Sequence, residues 1–334
     1  MKKLPFPLDQ DKIHYFGYAR TALLEGLRIL GIKEGDNILI PAYICNVVLA
    51  PFNYLGIKVK YYNIDDNLIP NTQQIKDLLD EKTKGILAVN YFGFPQQIDG
   101  ILDICRNSKI SFIEDNAHGF LSKNSSTDLG TFGDISIFSF RKTLPIPNGA
   151  ALVVNKKSNL NDCLYVPCNN PVIEDFKYST KFIFTKINDL SSYFMPKFLR
   201  MLNKKAKIYK EESAEEEKNL AKYLIGYSNL SRLIMRHIDY EKFIIKKRKA
   251  YEVFLEMFLN SGEAEPIFKH LGEGVVPWVF PLKVKERELF IRNLYYNTGI
   301  KSFAWPALPE EVLSSQERFL SMYRNIVCLP LSSL

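Results

Sequence analysis

No stretch of the 334-residue chain approaches the roughly 20 consecutive apolar residues that a membrane-spanning helix needs. The five cysteines contain no CxxC pair and do not cluster with the four histidines. Cys163 and Cys168 lie five apart with no histidine nearby, which excludes a zinc-site spacing. An odd cysteine count without a signal peptide reads as reduced thiols and so as a cytoplasmic protein. No GxGxxG follows the early strands, so the dinucleotide-binding fingerprint is missing. Internal repeats and low-complexity tracts are missing too. A formal charge of +7 is mild and concentrated: residues 177–210 hold nine Lys/Arg against one acid, Asp189. The acidic run EESAEEEK adjoins that stretch, and it matches no nucleic-acid module. It reads as a helical excursion over about 175–220 with a solvated basic face. The sharper alternative is peripheral contact with a membrane surface or an anionic partner.

With 46% hydrophobic and 24% charged residues, the composition is that of a globular chain large enough for one large and one smaller domain. Residues 18–31, YARTALLEGLRILG, repeat apolar positions at helical spacing and stop at Gly31. NILIPAY is a strand stopped by Pro41, and CNVVLAPFNYLG is helical at first, with Pro51 limiting or kinking it. IKVKYYNI alternates as a strand, and NTQQIKDLLDEK is a helix capped by Asn71 or Thr72. GILAVNYFG, ISFIED, ISIFSF and AALVVN supply further strands, with FPQQIDGILDICRNS a helix among them. Strands separated by such helices form a largely parallel sheet through right-handed crossovers. The site then belongs beyond the strands' carboxyl ends, at a rim with Tyr43, Tyr91, Asp115 and His118. Residues 229–260 predict one long amphipathic helix leading into a second domain. VVPWVFPLKV predicts a strand pair or one bent strand, because Pro277 and Pro281 limit ladder bonding. ERELFIRNLYYNTG is a helix ended by Gly299.

The chain is organised around residues 111–151. There SFIE ends in Asp115, His118 follows three positions on, and ISIFSF delivers Lys142 ahead of Asn148-Gly149. A buried carboxylate at one strand end and an amine just beyond another suit chemistry that needs a carbonyl-reactive amine beside a cationic ring. Pyridoxal phosphate enzymes use that pairing, the lysine as Schiff base and the aspartate on the pyridinium nitrogen. Taken singly, each residue has a plainer reading: Asp115 as a turn cap, His118 as a core histidine, Lys142 as a surface lysine.

From about residue 15 to 155 the wording resembles the DegT/DnrJ/StrS-type sugar aminotransferases. ARTAL resembles that family's GRxAL, and GDNILIPAY its GDEVIVPAY. VNYFGFP is similar to VHLYGxP, IEDNAHG to IEDAAQxHG, and FGDISIFSF to FGDIGxFSF. Past residue 240 only KKRKAY, GIKSFAW and CLPL keep the likeness. The resemblance implies an α/β fold-type I pyridoxal phosphate transferase. Residues 1–235 would form a large domain around a mostly parallel sheet flanked by helices, and 236–334 a smaller C-terminal α+β domain. It implies Lys142 as the Schiff-base lysine, Asp115 on the pyridine nitrogen, His118 near the phenolic oxygen, and Ser139 and Thr21 on the phosphate. Glutamate is the implied donor, a keto-sugar nucleotide the acceptor, surface-polysaccharide or other glycan biosynthesis the pathway, and a homodimer the assembly.

The chain departs from the pattern in several places. Two residues fewer separate SF from the lysine; spacing forward to Asn148-Gly149 selects Lys142 over Lys123. Asn148-Gly149-Ala150 stands where relatives read D-G-G or E-G-G, Cys45 where an aromatic often stacks, and Ala19 where GRxAL has glycine. The chain stops at LPLSSL, where relatives run on through a final helix. These departures motivate a rival reading, a catalytically degenerate scaffold for glycan assembly. A sugar-modifying lyase is the other rival; Lys142 argues against a dehydratase, since dehydratase relatives typically lack the lysine.

Overall fold

The computed structural model describes residues 4–10, 13–155, 220–315 and 324–333, together with Val172, Asp175, Phe176, Ser179 and Met322. The expected basic excursion over 175–220 lies almost wholly outside the described residues.

Seven strands make the main sheet, in the order β1-β9-β8-β5-β4-β2-β3. They are β1 (Ile13–Phe16), β2 (Asn37–Pro41), β3 (Lys58–Tyr62), β4 (Thr83–Val89), β5 (Ser111–Asn116), β8 (Ile135–Ser139) and β9 (Ala150–Val154). β3, β2, β4, β5 and β8 run parallel, while β9 pairs antiparallel with both β8 and β1. The short hairpin β6 (Lys123–Asn124) and β7 (Thr127–Asp128) stands apart. The parallel core arises because β2 and β8 are buried, mostly apolar runs, and β5 is buried along all but its first residue, the pattern of strands covered on both faces.

Helices α1 (Ala19–Ile29), α2 (Leu49–Leu55), α3 (Thr72–Leu78) and α4 (Asp99–Ser108) make the crossovers. The caps follow the sequence: Gly31 turns left-handed just beyond α1, at φ 71°, and the Asn71 side chain accepts the Gln74 N–H at the start of α3. Pro51 acts otherwise than expected. It stands in the first turn of α2, after a 3-10 turn at Asn46–Val48, where its missing N–H leaves no helical bond unmade. α1 lies so close to β8 and β9 that a methyl group on Gly26 would meet Ile135 Cδ1 at 2.4 Å. That contact fixes the start of α1 over the carboxyl ends of the sheet.

A short helix, α5 (Phe140–Thr143), follows β8 directly and carries Lys142. The expected single helix over 229–260 is two: α6 (Asn229–His237) and α7 (Tyr240–Phe258). Ile238 is extended, and the Asp239 side chain caps α7 by accepting the Lys242 N–H. The second sheet is antiparallel, β10 (Ala264–Pro266), β11 (Val279–Val284) and β12 (Ile326–Pro330), with β11 in the middle. α8 (Arg287–Thr298) and α9 (Glu310–Ser315) lie between β11 and β12, α8 ending at Gly299.

Pro281 therefore sits inside a central strand, contrary to the expectation of an interrupted ladder. Its carbonyl accepts the Ile267 N–H, one residue past the end of β10. On the other side its register partner Cys328 exchanges both backbone bonds with Phe303 instead. The position asks for no proline N–H. One apolar cluster runs from the main sheet into the second, joined by the stack of Phe94 on Phe268 at 3.9 Å. Among the described residues no helix is long and apolar enough to cross a membrane, and no group of His, Cys, Asp and Glu could hold a metal ion.

Candidate active site

The carboxyl ends of β4, β5 and β8, the start of α1 and the short α5 enclose a cavity. Asp115, His118, Ser139 and Lys142 line it, with Arg20, Arg141 and Trp305 among the others. Asp115 closes β5 one residue before the strand's end and is buried; its Oδ1 accepts the Ala117 N–H at 2.8 Å. Burial raises its pKa, opposed by that N–H and by the neighbouring Lys142. A carboxylate this desolvated is stabilised by a cationic partner within the cavity.

His118 is clamped from three sides. Its Nδ1 accepts the Phe92 N–H at 3.2 Å, and its ring stacks on Trp278 at 4.1 Å and meets Trp305 edge-on at 4.7 Å. Phe92 presents that N–H from a left-handed backbone, φ 57°, a strained conformation for an aromatic residue. The Phe92 carbonyl in turn accepts the Trp278 N–H at 2.8 Å. Burial first, and the neighbouring Lys142 second, hold His118 well below the usual imidazole range.

Lys142 Nζ lies 2.9 Å from His118 Nε2. With Nδ1 occupied by the Phe92 N–H, the neutral ring carries its proton on Nε2 and faces Lys142 with a donor. The amine answers with its lone pair. This arrangement favours Lys142 as the free base, the form that attacks a carbonyl. Trp278 and Trp305 lie 5.2 and 5.7 Å from the amine.

Not every residue singled out from the sequence joins this group. Thr21 does not line the cavity: its hydroxyl donates to the Tyr223 carbonyl at 2.9 Å. Arg20, one position earlier, takes that place, its guanidinium 3.7 Å from the Tyr223 ring centroid. Lys123, the other candidate lysine, is in β6 and pairs with Asp128 at 3.3 Å. Tyr43 and Tyr91 are buried beneath the rim: Tyr91 donates to the Tyr43 carbonyl, and Tyr43 to the Trp305 carbonyl at 2.8 Å. They hold a wall of the site.

The donor set fits pyridoxal phosphate. A buried carboxylate suits its ring nitrogen, an amine its aldehyde, and Ser139, Arg20 and the first N–H groups of α1 its phosphate.

Residues 17–182 match the model of the DegT/DnrJ/EryC1/StrS aminotransferase family. Just under half of the chain thus carries that family's pattern. The chain is 32% identical to the GDP-perosamine synthase of Escherichia coli O157:H7 over 163 residues, 47% of this chain and 45% of that protein. With the GDP-perosamine synthase of Vibrio cholerae it is 24% identical over 325 residues, 92% of this chain and 85% of the other. The alignment with the Escherichia coli protein thus spans less than half of that relative's length. Among solved structures, Helicobacter pylori PseC, an aminotransferase involved in pseudoaminic acid biosynthesis, superposes with a TM-score of 0.67 at 16% identity. That match covers 95% of this chain and 81% of PseC, a likeness of fold.

Two departures from the family wording have visible reasons. Asn148 donates through Nδ2 to the Gly226 carbonyl and accepts the Ser228 N–H through Oδ1. An aspartate would set an acceptor against an acceptor. Gly149, at φ 143°, passes so near Tyr227 that a Cβ would meet its ring at 3.1 Å. Cys45 leaves the cavity without an aromatic at its own position, and Trp305 lines the same cavity.

Proposed function

We propose that the chain is a pyridoxal phosphate-dependent aminotransferase that moves an amino group from glutamate to the ketone of a nucleotide-linked sugar, for glycan biosynthesis. The observation that carries this reading is Lys142 Nζ held 2.9 Å from His118 Nε2 in a cavity also lined by Asp115. The match to the family model and the likeness to GDP-perosamine synthases support the substrate class.

Pyridoxal phosphate, when bound, supplies an aldehyde that exchanges amines and a ring that takes up the electron pair released at the amino carbon. Lys142 would provide the attacking amine and would take up and return the proton at the substrate's amino carbon. Asp115 would hold the ring nitrogen in its protonated form. His118 orients Lys142 through Nε2. Ser139 and Arg20 hold the phosphate, and the apolar walls keep bulk water from Lys142. We assign residues 1–235 to the cofactor-binding unit and 236–334 to the second unit, and take the working form to be a cytoplasmic homodimer, as the family likeness suggests.

The test is a spectrum of purified protein with pyridoxal phosphate, followed through addition of glutamate and then of a GDP- or UDP-linked 4-keto sugar. A visible band that glutamate bleaches and the keto-sugar restores, with an aminated sugar found by mass spectrometry, is expected. A protein that binds the cofactor and leaves both substrates unchanged contradicts the proposal.

A further inference from the structure

A second cavity, of about 520 Å³, opens from the first and shares Arg141, Lys142 and Trp305 with it. Trp278, Phe303 and Trp305 supply aromatic wall, and α7 contributes Lys247. Two cations, Arg141 and Lys247, thus face the same space as the Lys142 amine, and no Asp or Glu stands among its described lining residues. Trp278 connects the two lysines: Lys142 lies over its ring, and Lys247 Nζ donates to its carbonyl at 3.2 Å. No carboxylate among the described residues pairs with Lys247, and burial, with Lys246 beside it, pushes its amine down to about 8. A partly desolvated amine with no counter-charge is costly to the fold unless an anion arrives. The space exceeds what a small amino acid fills and lies in the range of larger ligand sites, roughly 300–1,000 Å³.

We infer that this chamber holds the diphosphate of the nucleotide-linked substrate, with Lys247 and Arg141 as its anion ligands and the sugar directed at Lys142. The inference rests on the function proposed above and adds to it the residues that select the substrate. A diphosphate matches the clustered cations, and the aromatic walls suit the flat faces of a base or sugar.

The chain's only two tryptophans, Trp278 and Trp305, both line the chamber, so intrinsic fluorescence reports on it without any turnover. Protein loaded with pyridoxal phosphate is titrated with inorganic pyrophosphate, GDP and UDP, as wild type, Lys247→Met and Lys247→Arg. Circular dichroism checks that both variants fold. Saturable quenching is expected in wild type, weakened roughly tenfold or more in Lys247→Met and largely kept in Lys247→Arg. Unchanged pyrophosphate affinity in Lys247→Met would overturn the inference, as would a loss confined to glutamate. A chain that binds pyrophosphate through Lys247 yet exchanges no amine keeps the chamber and loses the reaction; amine exchange with no diphosphate response does the reverse.

Discussion

At the scale of single residues, the site depends on which groups stay uncharged. His118 is neutral in the folded chain, whereas an unfolded imidazole takes up its proton near pH 6.5. The unfolded state therefore binds the extra proton first, and stability, full above that pH, falls as pH drops below it. The slope is up to about 1.4 kcal/mol per pH unit. Asp115 has the opposite sign: burial disfavours its ionised form, so its contribution is lost as pH rises from the ordinary carboxylate range through its raised value. Urea unfolding of the cofactor-free protein between pH 7 and 5.5 should show the decline, and His118→Gln should flatten it. Asp115, His118 and Lys142 were legible in the sequence because all three fall within one short segment of recognisable wording. Arg20 was missed by one position, and on a helix one position turns a side chain by about 100°. Lys247 and Trp305 lie in KKRKAY and GIKSFAW, fragments that keep the family likeness without pointing to either side chain, and Trp278 had no such signal.

Elements are held in place by buried polar groups. Glu114, beside Asp115 on β5, accepts from Asn90 Nδ2 at 3.0 Å, from the N–H groups of Gly130, Phe132 and Gly133, and from the Ser136 hydroxyl. It ties β4, β5 and the approach to β8 together under the site. Glu114→Gln sets an amide donor among those donors, and should cost about 2–3 kcal/mol in denaturant unfolding. The strands of the main sheet were readable because fully buried strands are short apolar runs bounded by turn residues. The break between α6 and α7 was not read, although Asp239 before Tyr240 is a recognisable cap. Apolar spacing carried on across it and masked the stop. Pro281 misled for a different reason: whether a proline fits a strand depends on which neighbour its nitrogen faces, which is a tertiary matter.

Across the whole molecule, the two sheets share apolar packing and also share the site. Ser122, in the loop after β5, both accepts the Val276 N–H at 2.8 Å and donates to the Val276 carbonyl at 3.0 Å. Arg248 of α7 donates to the Gly272 and Val275 carbonyls. Trp278 is thereby anchored from both sides. The main sheet and the second sheet should unfold in one calorimetric transition, and Phe94→Ala, at their stacked contact, should lower that single transition by about 3–5 kcal/mol. Two separated transitions would show that the shared packing does not couple them. The central claim is that Lys142 is the amine that engages the cofactor. Its most direct test is borohydride reduction of the full chain with bound pyridoxal phosphate, followed by peptide mass spectrometry. The account predicts one modified peptide, with the label on Lys142 and none after Lys142→Ala. A label on Lys123 or Lys247, or one that persists in Lys142→Ala, would contradict it.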